Sequence, residues 1–206
     1  MANVTFPFPF PENLWIMIPE MFIAVMAMAL LLIDLFVAKD KKHFIAYATI
    51  ASCVVAIVAL LKIPSADGLM TFYGAFVYDP FAVFSKILIL AATIFTVVLS
   101  LDFMKDEENV GEYYCLILFA VLGMMLMASS NNFITFYLGL ELMALSVYVL
   151  VAYQRDVLRS TEAALKYFIL GSLSSGMLLY GITFLYGVTA SFDFNVIGQS
   201  LATASS

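Results

Sequence analysis

The chain has 206 residues, of which 64% are hydrophobic and only 12% charged, with a formal net charge of −6. A soluble core does not need that much apolar side chain, and several unbroken apolar runs are long enough to cross a bilayer, so the composition excludes a soluble domain and predicts a polytopic membrane protein. No basic surface of the kind that binds nucleic acid is present, and most charges fall in short connections, so the net charge carries no argument about partners.

Residues 1–13 contain Phe6-Pro7-Phe8-Pro9-Phe10-Pro11. Repeated Pro prevents helix and Phe prefers the membrane boundary, which predicts an extended, interfacial segment. The N-terminus is not a convincing cleavable signal: it has no early Lys or Arg, and the apolar run that follows is too long. The first span is expected over about 14–37, with Trp15 as an interfacial anchor. Glu20 and Asp34, near its ends, are expected to reach water or headgroups. Lys39-Asp40-Lys41-Lys42 is the strongest positive cluster.

A second span is expected over about 43–61. The connection from Lys62 to Asp79 carries turn signals at Pro64, Asp67-Gly68 and Gly74, and its aromatic residues suggest that it lies along the interface. Asp79-Pro80 is a helix start, with Asp suited to the N-cap and Pro to the first turn, and opens a third span over about 81–103. Lys86, one and a half turns into it, is expected to snorkel to the nearby surface. Lys105 to Asn109 is a solvated loop. A fourth span, about 113–128, is Met-rich at Met124, Met125 and Met127, which reads as packing material. Ser129 to Asn132 is a tight polar turn. The fifth and sixth spans are expected over about 131–153 and 161–186, and no seventh.

The predicted fold class is therefore all-α, a polytopic membrane helix bundle with six spans forming one transmembrane unit over residues 1–206. Lys and Arg gather in the loops after spans one, three and five, which puts both chain ends outside the cytoplasm. Cys53 and Cys115 fall in separate apolar segments and read as small hydrophobic residues. His43 is the only histidine, so this chain alone offers no histidine metal cluster.

One side chain stands out. Glu141 is almost at the midpoint of the fifth span, where a charge costs at least about 2.5–3.5 kcal/mol. Such a group is paired, neutralised or used, so Glu141 is read either as part of a proton or ion pathway or as a protonated carboxyl bonded to a neighbouring helix. Lys166 on the sixth span is the candidate second member of a proton relay. Measured from the loop between the two spans, Glu141 lies roughly 18 Å deep and Lys166 roughly 9 Å deep, so a water could be needed between them. Glu162, one turn before Lys166, is an alternative i,i+4 partner for the lysine. Gly139 thins the fifth helix beside Glu141, either to admit water or a side chain or for close packing.

Three stretches carry a resemblance: Glu112-Tyr113-Tyr114 through Asn131, Phe136-Tyr137-Leu138-Gly139-Leu140-Glu141-Leu142, and Arg159-Ser160-Thr161-Glu162-Ala163-Ala164-Leu165-Lys166-Tyr167-Phe168. Together with Pro19-Glu20, Ile33-Asp34-Leu35-Phe36 and Tyr78-Asp79-Pro80-Phe81, they resemble the antiporter-like membrane subunits of respiratory complex I, and among these subunit N. The resemblance covers the chain to about Phe194. It implies a proton-translocating membrane-arm subunit of an NADH:quinone oxidoreductase in a bacterial inner membrane. Glu141 would belong to the central hydrophilic axis and Lys166 would lie close to it. Partners would be the lipid bilayer and the other membrane-arm subunits. FMN, iron–sulfur clusters and quinone would belong to the assembled complex, with no cofactor in this chain and no catalysis from it alone.

The chain departs from the family pattern. Members have about fourteen spans in two inverted repeats of five, with further lysines on broken helices. This sequence stops before those, which implies a fragment or a split subunit whose missing helices come from a second chain. A subunit of a related sodium/proton antiporter or membrane-bound hydrogenase, or a scaffold without transport of its own, remains an alternative expectation.

Overall fold

The computed structural model describes residues 13–36, 43–63, 68–104 and 110–204. The Pro/Phe segment, the Lys39–Lys42 cluster, Pro64, Asp67 and the Lys105–Asn109 loop lie outside the described residues, except that Asn13 is described.

A 3-10 turn, Leu14–Met17, leads into α1 (Ile18–Asp34). Helix α2 (His43–Lys62) follows, then a two-stranded hairpin, β1 (Leu69–Thr71) and β2 (Phe76–Tyr78). Helices α3 (Pro80–Phe103), α4 (Val110–Ala128), α5 (Phe133–Val151) and α6 (Leu158–Thr189) come next. A short α7 (Phe194–Ala204) ends the described chain. Six of these helices, the first counted with its 3-10 turn, are long and apolar enough to cross a membrane. Helix α7 is not among them: its 11 residues reach only about 16 Å.

Local chemistry sets the helix starts. Asp79 accepts the Ala82 N–H at 2.7 Å with Pro80 at the first helical position, as expected for that pair. Asn132 does the same for α5, accepting from the Thr135 N–H at 2.7 Å. Inside the spans, hydroxyls turn back on their own helix. Thr49, Ser52, Thr93 and Ser146 each donate to the carbonyl four residues earlier. Each removes a bare polar group from an apolar layer.

The hairpin was not expected from the sequence, which suggested only an interfacial connection. Its strands pair antiparallel, Leu69 with Tyr78 and Thr71 with Phe76. The turn between them holds Phe72, Tyr73 and Gly74 all at positive φ, 52°, 55° and 84°. Glycine adopts that conformation freely, whereas two consecutive aromatic residues there are strained. Asn131 offsets the strain: its side chain donates to the Gly74 carbonyl and its backbone N–H to the Ala75 carbonyl, both at 3.0 Å. The same side chain reaches Asp193 Oδ2 at 3.3 Å, and Phe133 N–H donates to the Phe192 carbonyl. The Ser129–Asn132 turn therefore joins the hairpin, α5 and the approach to α7 at one end of the bundle.

Helix α4 is the centre. More than half of its apolar stretch is buried, against about a tenth for α5 and α6. It packs on α1, α3 and α5. Its backbone closes on that of α5 at two glycines. A Cβ on Gly123 would lie 2.5 Å from the Gly139 carbonyl oxygen, and one on Gly139 would lie 2.8 Å from that of Gly123. Gly139 thus serves close helix packing, one of its two expected roles. Met125 is fully buried in this core, in keeping with packing.

Candidate functional site

Helix α5 has two working faces. Gly139 turns to α4. On the other side, Tyr137, Glu141 and Tyr148 follow an i, i+4, i+11 spacing, which lines them up on one stripe. That stripe faces α6. Ser175 donates to the Tyr137 hydroxyl at 3.4 Å. The Tyr148 ring meets Tyr167 edge-on at 5.1 Å and Phe168 at 5.5 Å. A Cβ on Gly171 would fall 2.0 Å from the Tyr148 hydroxyl, so the missing side chain there makes room for it. Glu141 is half-buried in this stripe, and its Oε1 is buried without a hydrogen-bond partner.

The structure does not bring Lys166 to Glu141. The buried or half-buried residues of α6 are Ser160, Ala164, Gly171, Ser175, Leu178, Ile182, Leu185 and Thr189, and of these Gly171 and Ser175 meet side chains of α5. Lys166 is two residues beyond Ala164, roughly 200° around the helix, and so points away. Its side chain is 70% exposed and ion-paired with Glu162, which is 59% exposed. The i,i+4 alternative is the one present; no ion pair among the described residues includes Glu141. The depth difference expected from the sequence also narrows. On ideal helices Glu141 is roughly 15 Å from the end of α5 and Lys166 roughly 12 Å from the start of α6. The obstacle is the face, not the depth. Of the small residues on α6, Gly171 and Ser175 pack, whereas Ser172, Ser174 and Gly176 are exposed.

A second charged site went unrecognised in the sequence. Glu20 and Lys86, expected to reach the surface, are 1% and 0% exposed. Lys86 Nζ lies 2.5 Å from Glu20 Oε1, joining α1 to α3. The ammonium also sits over the Phe76 ring at 4.7 Å and the Tyr78 ring at 5.4 Å. The hairpin rings cover the ammonium, and with both side chains buried neither charge snorkels to the surface. Tyr78 donates to the Leu60 carbonyl at 2.8 Å. Burial, and then the Glu20 carboxylate, pushes its phenol up to about 12. Asp34, the other expected surface charge, is half-buried against Gly111 of α4, where a Cβ would come within 2.3 Å of its own.

Donor sets for a redox centre are not assembled here. Among the described residues no three His, Cys, Asp or Glu side chains converge. Cys53 and Cys115 are buried, as free thiols, in different helices. These residues do not fit an iron–sulfur cluster.

A family model described as the transmembrane part of NADH:quinone oxidoreductase and Mrp antiporter proteins matches residues 130–206. The chain is 43% identical over 197 residues to NADH-quinone oxidoreductase subunit N of Herminiimonas arsenicoxydans, covering 93% of this chain and 40% of that one. It is 45% identical over 192 residues to subunit N of Magnetococcus marinus, covering 92% and 40%. Over nine tenths of its length the chain is a homologue of NADH-quinone oxidoreductase subunit N. It spans about two fifths of the length of the curated relatives it matches. A chain of respiratory complex I from Thermus thermophilus with bound aureothin shares the fold of this subunit N relative, with a TM-score of 0.70 and 27% identity over 89% of this chain and 41% of that one. The archaeal membrane-bound sulfane sulfur reductase shares it too, with a TM-score of 0.64 at 21% identity, over 86% of this chain and 40% of that one. The membrane-spanning, antiporter-like architecture expected from the sequence is thus present.

Proposed function

We propose that this chain is part of the proton-translocating membrane arm of an NADH:quinone oxidoreductase, with Glu141 as an intramembrane proton-carrying group. The observation that carries the reading is the placement of Glu141. The carboxyl stands near the middle of α5, on the face turned to α6, with one oxygen buried and without a hydrogen-bond partner. That oxygen is open to a donor arriving at the α5–α6 face, and an acceptor so placed inside a span is what a relay requires.

Lys166, ion-paired with Glu162 on the outer face of α6, is not in reach of Glu141 and is assigned to the relay only through the helices that would cover that face. Helices that cover that face would receive the proton from it. An exposed ion pair on a spanning helix is costly against lipid, which supports a covering partner. That partner is a second chain or further helices of the same subunit, within an arm built with the other membrane subunits. FMN, iron–sulfur clusters and quinone are assigned to the rest of the assembly. The Lys and Arg distribution supports a multi-pass orientation in a bacterial inner membrane, with the hairpin end outside the cytoplasm.

The matched family model also covers Mrp antiporters, which favours a sodium/proton antiporter assembly as the second reading. Substituting Glu141→Gln in the assembled complex tests the proposal. In sealed vesicles, protons moved per NADH oxidised should fall while the chain stays in the complex. An unchanged ratio, with the chain shown to be present, would overturn it.

A further inference from the structure

The Glu20–Lys86 pair is not accounted for by the relay. It lies on α1 and α3, under the hairpin, whereas Glu141 faces α6. Beyond the charge contact, Glu20 Oε2 and Lys86 Nζ have no hydrogen-bond partner in the protein. Thr71 Oγ1 has none either, although Thr71 is only 3% exposed. The ladder places Thr71 on the side of the hairpin that faces the pair. Thr71 stands directly opposite Phe76 in the hairpin, and directly opposed residues point to the same face of the ladder. Phe76 on that face covers Lys86 Nζ.

The hydrogen-bonding inventory is complementary. An ammonium has three donors, a carboxylate only acceptors, and a threonine hydroxyl one donor and two acceptor sites. A buried polar group without a partner costs about 1–3 kcal/mol, and a charged one more. Inside a bilayer no bulk water reaches such groups. Ordered water needs two to four polar partners, which this set supplies.

We infer that Glu20, Lys86 and Thr71 hold ordered water beneath the hairpin, as a second intramembrane polar site separate from Glu141. The aromatic rings of Phe76 and Tyr78 close it from outside. The water completes the coordination of the pair and fixes α1, α3 and the hairpin together.

Radiolytic hydroxyl-radical labelling read by mass spectrometry tests this on the chain in its native membranes, because radicals formed from bound water oxidise buried side chains beside it. Tyr114, as buried as Tyr78 and likewise hydrogen-bonded within the protein, to Ser100 at 3.2 Å, is the dry reference, and exposed Tyr73 is the wet one. Phe76 and Tyr78 should be oxidised faster than Tyr114. Thr71→Val, which leaves the ion pair and the shape intact, should abolish that excess. Labelling of Phe76 and Tyr78 no faster than Tyr114 would overturn the inference, as would an excess that survives Thr71→Val.

Discussion

Glu20 and Glu141 both stand on spanning helices of this bundle, and their surroundings differ in kind. Glu20 lies in the closed part built by α1 to α4, fully buried, paired with Lys86 and roofed by two aromatic rings. Glu141 lies at the open edge made by α5 and α6, half-buried and outside every ion pair among the described residues. The contrast shows how one fold gives the same side chain two environments. A carboxylate enclosed with its counterion ties two helices together. A carboxyl outside every ion pair is left open to a neighbour, which is why the relay is proposed there.

The largest expected effect breaks the closed site. Lys86→Met strands the Glu20 carboxylate in the interior, and loss of one partner of a buried pair costs about 3–5 kcal/mol. Quantitative immunoblotting of membranes should show most of the chain lost. Adding Glu20→Leu should restore much of it, since an apolar pair can replace a buried ionic one. Continued loss in the double variant would mean that the charges do more than hold the helices.

A smaller effect is expected where the two regions meet. Gly139→Ala puts a methyl against the backbone of α4, and overpacking of this kind costs about 1–3 kcal/mol. The midpoint temperature of the detergent-solubilised assembly should drop, with Glu141 still in place. The smallest effect lies at the open edge. Glu162→Gln removes an i,i+4 pair worth about 0.2–0.5 kcal/mol while it is exposed, so the thermal midpoint of the chain separated from its partners should barely move. A larger drop in the assembly is expected from the partner proposed to cover that face, and an equally small one there would count against that partner.

Much of this fold is legible in the sequence, because each span is an apolar run that must satisfy its backbone within itself. Asp79-Pro80 announces the start of α3 through a cap that depends on adjacent residues only. The hairpin is less visible: its strands have three residues each, and its Phe72-Tyr73-Gly74 turn resembles any aromatic interfacial loop. The Glu20–Lys86 pair is invisible for a different reason. Each residue lies near a helix end, where snorkelling is equally reasonable, and only the covering hairpin removes that option. Glu141 is visible because depth alone makes it unusual. The direction of Lys166 is not, since it depends on which stripe of α6 packs, and small residues occur around much of that helix.

Infrared difference spectroscopy of the assembled complex, recorded between resting and NADH-reduced states, tests the central contrast most directly. A carboxylic C=O band that changes on reduction should vanish in Glu141→Gln and persist in Glu162→Gln. The same band, unaltered in Glu141→Gln, would contradict the assignment of Glu141 as the exchangeable proton of this chain.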